Sequence, residues 1–161
     1  MKQSNKIIGR TAIIDVDSIE NVPAKIDTGA DSSSIWASDI KLHNGELSFV
    51  LFGSNSPFYT GKRITKSAGH YTFVKVASSS GVRQIRYVVV LPATINSESH
   101  KIRFTLSDRS TMLYPVLIGQ HFLDNRFLID TTQNLPANVQ VELNQAKSER
   151  LGSIKRGESR A

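Results

Sequence analysis

Short segments rich in β-branched and aromatic residues, each bounded by turn-forming residues, recur along almost the whole chain. Segments of this kind favour strands, and their recurrence predicts a mainly β fold. They are Ala12–Val16, Val22–Ile26, Tyr71–Ala77, Arg83–Leu91, Lys101–Leu106, Pro115–Ile118 and Arg126–Asp130. Helical patterns are confined to Gln120–Asn125, directly after Gly119, and more weakly to Val139–Arg150. The helices therefore do not organise the fold.

The length and composition indicate one folded domain. The chain has 161 residues, of which 39% are hydrophobic and 21% are charged, as is usual for a soluble globular protein. We expect the domain to cover residues 1–145, and the polar residues 146–161 to form a flexible tail. The stretch 53–70 is rich in turn formers and is predicted to be an exposed connection, either an ordinary surface loop or a lid.

The same composition excludes several classes of protein. No stretch reaches the roughly 18 uninterrupted apolar residues of a membrane helix. The N-terminal apolar run, Ile7-Ile8, is too short for a signal peptide. We therefore expect a cytoplasmic protein without a membrane partner. The chain lacks cysteine, which excludes disulfides, thiolate metal sites and a cysteine nucleophile. About half of the net charge of +6 lies in residues 144–161 rather than on an aromatic-rich face, so nucleic acid is not an expected partner.

A carboxylate leads the turn that ends one predicted strand, at Asp27-Thr28-Gly29. Glycine permits close backbone approach and threonine adds a hydroxyl, so the aspartate can be exposed while its neighbours hold it in place. The same tripeptide also occurs in plain turns. A second segment, Tyr114–Leu123, passes from an apolar strand through Leu117-Ile118-Gly119 into the short helix. The two segments together predict a site around Asp27.

The two segments resemble the retropepsins, whose subunits carry an Asp-Thr-Gly-Ala loop and, later, two apolar residues and a glycine before a short helix. The resemblance covers about residues 12–131. It implies a closed β-barrel of the acid protease fold, with one short helix after the apolar-apolar-Gly element. The stretches Ala24–Ala30 and Thr105–Gly119 are similar to motifs of bacterial retropepsin-like endopeptidases often labelled ATP-dependent zinc proteases. Those proteins are found with ATP-grasp ligases of the ribosomal-modification type. This chain has no His-Glu-x-x-His, cysteine or phosphate-binding glycine loop, so we predict no cofactor, neither zinc nor ATP.

The resemblance implies an aspartic endopeptidase in which two carboxylates share a proton and activate water. One chain supplies only Asp27, because the comparable Asp130 lacks the following glycine. We therefore expect a homodimer with a peptide or protein substrate. The residues with expected roles at the catalytic loop or in substrate binding are Asp27, Thr28, Gly29, Lys25, Ala30, Asp31, Ile118 and Gly119. Thr28 would join the two loops by hydroxyl hydrogen bonds, and Gly29 would let them pack closely.

Several alternatives stay open around this loop. Lys25 precedes Asp27 by two residues, so it lies on the same side of a regular strand. There it either favours the ionised carboxylate, binds an acidic substrate group, or is simply solvated. In retropepsins the counterpart of Asp31 commonly pairs with an arginine at the position of Gln120, so Arg126 or Arg109 would have to replace that arginine. Two other functions remain: processing of acidic peptide tails beside an ATP-grasp ligase, and peptide binding without catalysis.

Overall fold

The computed structural model describes residues 6–77 and 80–155. Strands dominate, as predicted, and helices occur only near the C-terminal end of the described residues. In chain order the elements are β1 (Lys6–Ile8), β2 (Thr11–Val16), β3 (Ile19–Ile26), β4 (Ser33–His43), β5 (Glu46–Leu51), β6 (Arg63–Lys66), β7 (Tyr71–Ala77), β8 (Arg83–Ile95), β9 (Glu98–Ser107), β10 (Val116–Ile118), α1 (Gln120–Leu123), β11 (Phe127–Ile129) and α2 (Ala137–Lys155).

Six of the strands close into a barrel, which confirms the predicted fold class. Their order is β10-β3-β2-β8-β9-β4, and β10 pairs with β4 to complete the ring. The short strand β10 lies between β3, to which it is parallel, and β4, to which it is antiparallel. Closure leaves no free edge on these six strands where they pair. Because β10 joins the two strands that flank the Asp27 loop, the barrel fixes the position of Asp27.

The barrel interior is filled by apolar side chains, which alternate along the strands with polar residues on the outer face. In β9, Ile102, Phe104 and Leu106 are buried, while Lys101 and Arg103 are exposed on the outer face. Successive strand residues point to opposite faces, so this pattern follows from a regular strand with one face on the core. The core also contains Trp36, the single tryptophan of the chain, with 3% of its surface exposed.

Two hairpins extend from the barrel, and one of them includes part of the turn-rich stretch 53–70. Residues 53–70 contain β6, which pairs with β5, and Phe58, which packs edge-on against Phe52. This stretch is thus only partly an exposed connection. The hairpin that stands out is β7–β8, whose strands pair from Tyr71 to Ala77 and which exposes Phe73. Residues 78–79, between β7 and β8 in the sequence, lie outside the described residues.

The C-terminal helix α2 runs through residues 146–155, the first part of the stretch that we expect to be a flexible tail. The helix continues to Lys155, and the side chains of Leu143 and Arg150 are buried against the barrel side. These two anchors order the helix although its apolar residues are few. Residues 156–161 and 1–5 lie outside the described residues, so what we expected of them stays a prediction. Neither helix in the described residues combines the length and apolar character needed to cross a membrane.

Candidate active site

The loop that follows β3 holds the carboxylate of Asp27 with backbone groups. Its own N–H donates to the carbonyl oxygen of Ile118 at 2.9 Å. Its Oδ1 accepts a hydrogen bond from the Gly29 N–H, also at 2.9 Å. The side chain remains 26% exposed. Asp27 is therefore oriented by its loop and still reachable from solvent, as a reacting carboxylate must be.

Gly119 lets the loop approach β10 closely. A Cβ at this position would lie 2.5 Å from the carbonyl carbon and oxygen of Ser32 and 2.9 Å from the carbonyl oxygen of Ala30. Its backbone is extended, with φ −97° and ψ 177°, so the close approach and not the backbone conformation requires glycine. The Gly119 N–H donates to Ser33 Oγ at 3.0 Å, and the next N–H, of Gln120, donates to the Ala30 carbonyl at 2.7 Å.

The other expected site residues differ in how far they are exposed to solvent. Thr28 and Gly29 are exposed at the loop tip, and Ala30 is half-buried. Ile118 is fully buried in the single chain, and its expected role in substrate binding stays a prediction. Its contribution to the site is the carbonyl group that accepts the Asp27 N–H. The apolar side chain of Ile118 belongs to the core.

Positive charge gathers around Asp27. Lys25 Nζ lies 3.8 Å from Asp27 Oδ2, as the two-residue strand spacing predicts. Arg109 is buried, and its Nε donates to the carbonyl oxygen of Tyr114 at 2.9 Å. Burial lowers the pKa of the Arg109 guanidinium, the Asp27 carboxylate opposes that shift, and Arg86 reinforces it. Two cations, Lys25 and Arg109, therefore act on the Asp27 carboxylate.

Helix α2 supports the loop that carries Arg109. Arg150 donates from Nε to the Ser110 carbonyl at 3.0 Å and from a terminal nitrogen to the Met112 carbonyl at 3.1 Å. Its guanidinium also lies over the Trp36 ring, 5.4 Å from the centroid. Burial lowers the pKa of Arg150. The sequence offered no signal for this role, because Arg150 occurs in a polar segment of weak apolar spacing.

The second loop aspartate, Asp31, has no arginine partner. Within the part of the chain that the structure describes, no side chain forms an ion pair or hydrogen bond with its exposed carboxylate. Arg126 instead donates to the Phe122 carbonyl at 2.9 Å and stacks on the Phe122 ring. Arg109 donates to Tyr114. Neither arginine therefore replaces the partner that Gln120 cannot supply.

The carboxylate of Asp130 is held by residues of its own turn. It accepts hydrogen bonds from the N–H and Oγ1 of Thr132 and from Nε2 of Gln133, and these bonds lower its pKa. None of its contacts involves Asp27. Among the residues that the structure describes, no group of three His, Cys, Asp or Glu side chains is arranged to hold a metal ion.

Comparison with solved structures shows a shared fold. A protein of unknown function from Legionella pneumophila, solved by structural genomics, superposes with a TM-score of 0.62 at 24% sequence identity. The match covers 82% of this chain and 98% of that chain.

Comparison with known sequences shows the family. Probable alpha-L-glutamate ligases of Desulfotalea psychrophila and Shewanella halifaxensis are 30% and 26% identical to this chain over 138 and 140 residues. Each match covers 83% of this chain, but only 28% and 29% of those proteins, so the chain spans less than a third of the length of these relatives. The model of the RimB-like family, described as retropepsin-like aspartic endopeptidase RimB, matches residues 7–139. The chain therefore belongs to the RimB-like family of retropepsin-like aspartic endopeptidases.

Proposed function

We propose that two copies of this chain form an aspartic endopeptidase in which the two Asp27 side chains face each other. The observation that carries the proposal is the geometry of Asp27, which is partly exposed and held by the Ile118 carbonyl and the Gly29 N–H. Aspartic proteolysis needs two carboxylates that share one proton, and no second carboxylate of the described chain contacts Asp27. A twofold axis beside the loop supplies the second one.

Hydrolysis then follows from the paired carboxylates. The ionised Asp27 removes a proton from water, and the water oxygen attacks the carbonyl carbon of the scissile bond. The protonated Asp27 of the second copy donates its proton to the carbonyl oxygen. The tetrahedral intermediate collapses when the first Asp27 gives its proton to the amide nitrogen, the second Asp27 takes a proton from a hydroxyl of the intermediate, and the C–N bond breaks. The pair returns to its singly protonated state, so atoms and charge balance over the cycle.

The loop residues take roles that suit a dimer. Thr28 is exposed in the single chain, so its hydroxyl is accessible to the second copy. Gly29 is also exposed and presents little bulk there. Ala30 and Asp31 follow on the same loop and would line the cleft. The unpaired carboxylate of Asp31 is open to the backbone N–H groups of a bound peptide.

A more specific function is the processing of acidic peptide tails beside an ATP-grasp ligase. Two observations favour it. Relatives that contain a stretch similar to this chain are named probable alpha-L-glutamate ligases, and two cations, on Lys25 and Arg109, interact with Asp27. Glutamate-rich tails are the anionic substrate that such charges select. We place the reaction in the cytoplasm, where an ATP-dependent ligase finds its ATP.

The test compares Asp27→Asn with Asp130→Asn in the full chain. We measure cleavage of a diverse peptide library that includes glutamate-rich members, from acid to neutral pH, with and without a pepstatin-type inhibitor. Light scattering gives the mass of each variant. We expect a dimer whose cleavage is lost in Asp27→Asn and retained in Asp130→Asn.

Other outcomes redirect the proposal. Loss of cleavage in both variants would indicate a pair of carboxylates within one chain. A folded dimer that cleaves only glutamate-rich peptides would establish the narrower function. A monomer that binds peptides without cleaving them would indicate a peptide-binding module on the same fold and would refute the endopeptidase.

A further inference from the structure

A groove follows the outer face of β8 and β9. It consists of two adjoining depressions of about 540 and 240 Å³ that share Val88, Lys101 and Arg103 in their linings. One end begins at Ser32, directly after the catalytic loop, and the other end reaches Lys66. We call it the β8–β9 groove. The Ser32 end places the groove next to the loop that carries Asp27 on the same subunit.

The charged side chains that line the β8–β9 groove are all positive. Its lining includes the cations of Lys66, Lys101, Arg103 and Arg126, and no aspartate or glutamate. Within the described residues, none of these four cations forms an ion pair. The exposed Asp31 flanks the entrance beside Ser32 and does not line the groove. Four cations along one concavity repel each other and attract an anionic ligand.

The spacing of two of these cations suits an extended chain. Lys101 and Arg103 alternate with buried residues of β9, so both point outwards and lie about 7 Å apart along the strand. An extended peptide presents every second side chain on one side at the same spacing. Opposite them on β8, Pro92 pairs with Lys101 and Val90 with Arg103. These apolar neighbours give the methylene groups of glutamate side chains a surface to pack on.

We propose that the β8–β9 groove binds an extended acidic peptide segment that continues away from the scissile bond. The inference rests on the proposed function for the position of that bond and adds a second recognition site to it. Single-stranded nucleic acid is the other polyanion to consider, and it binds best where exposed aromatic rings stack on its bases. The aromatic residues in the lining are Tyr71, which is half-buried, and Phe122, which is buried. The groove therefore favours a peptide.

The experiment measures binding separately from cleavage. The full chain with Asp27→Asn is titrated into a fluorescein-labelled peptide of ten α-linked glutamates, and the affinity is read from fluorescence anisotropy. The same titration is made after Lys101→Gln and Arg103→Gln are added together. A matched control carries Lys147→Gln and Lys155→Gln, two cations of α2 outside the groove lining. Circular dichroism checks that each variant is folded.

We expect the groove variant to bind about five- to thirtyfold more weakly, as the loss of two partly exposed charge contacts predicts. The control should bind within about twofold of its parent, since solvent and salt screen charges outside the groove. Equal affinity of groove variant and parent would overturn the proposal. Displacement of the peptide by an oligothymidylate of equal charge at equal concentration would also overturn it, in favour of nucleic acid. Because this assay needs no catalysis, absence of cleavage by the unmodified chain would count against the proposed function alone.

Discussion

Replacing Gly119 with alanine should both destabilise the barrel and displace the loop that carries Asp27. The added Cβ would lie 2.5 Å from the Ser32 carbonyl carbon and oxygen, whereas ordinary van der Waals contact begins near 3.4 Å. Both neighbours are backbone atoms of the strand connection, so no side-chain rotation can relieve the overlap. The loop and β10 must separate by roughly 1 Å.

The size of the effect follows from what that separation disturbs. Overpacking a close-packed contact by one methyl group costs about 1–3 kcal/mol. The hydrogen bonds from the Gly119 N–H to Ser33 and from the Gln120 N–H to Ala30 lie at the same contact, and weakening them costs about 1 kcal/mol more. We therefore expect the free energy of unfolding to fall by about 2–4 kcal/mol and Tm by about 5–15 °C for a chain of this size. Cleavage activity should fall as well, because Asp27 is held by the neighbouring Ile118 carbonyl.

Urea unfolding followed by circular dichroism measures the loss, and Gly45→Ala is the matched control. At Gly45 a new Cβ would meet nothing within 4 Å, but φ is +77°, so that variant reports only the backbone cost of about 1–2 kcal/mol. It should retain activity. If Gly119→Ala unfolds within 0.5 kcal/mol of the unchanged chain, a value ordinary for surface substitutions, the close approach does not require glycine and the reasoning fails.

Three further predictions test the surroundings of the site. Arg150→Met leaves the Ser110 carbonyl without its donor and should lower the free energy of unfolding by about 2–4 kcal/mol in urea; a change below 0.5 kcal/mol would contradict this. Burial and nearby cations lower the pKa of His100, although a Glu98 oxygen lies 3.6 Å away. As the pH falls, His100 therefore takes up a proton more readily in the unfolded chain than in the folded chain. Stability should thus fall as the pH drops below the ordinary value of 6.5, and less steeply in His100→Gln; equal slopes in urea titrations would refute this. Lys25→Met should reduce the preference for acidic over neutral peptides about two- to fivefold in competition assays, and an unchanged preference would indicate a solvated lysine.

Strands with regular alternation were predictable from the sequence, and strands completed by distant partners were not. Lys101–Leu106 alternates apolar and charged residues and forms the central part of β9. β4 begins instead in a run of serines that is typical of turns. The structure uses these hydroxyls in tertiary hydrogen bonds: Ser33 Oγ accepts the Gly119 N–H, and Ser34 Oγ lies 2.7 Å from Ser107 Oγ. Local propensity contains no information on such partners.

Some features of the candidate site were likewise predictable from the sequence, and others were not. The side shared by Lys25 and Asp27 follows from strand geometry alone, and the structure places their charged atoms 3.8 Å apart. The interaction between the Arg109 charge and Asp27 depends on how the loop before β10 packs. Arg150, on helix α2, holds that loop by a hydrogen bond to the Ser110 carbonyl. Likewise, the sequence indicated that Asp31 lacks its usual partner at Gln120 but could not show whether another arginine takes that place.

The position of β10 sets the order in which the site can be completed during synthesis. This strand pairs with β3 at Ile26 and Ile118, which are far apart along the chain, and its last carbonyl holds the Asp27 N–H. A ribosome-bound chain that has exposed β1 to β9 therefore contains the aspartate but not the strand that orients it. Closing such a long loop is also slow compared with forming hairpins. The carboxylate consequently stays without its support until β10 has left the exit tunnel, so the Asp27 loop reaches its final geometry late in the synthesis of this domain.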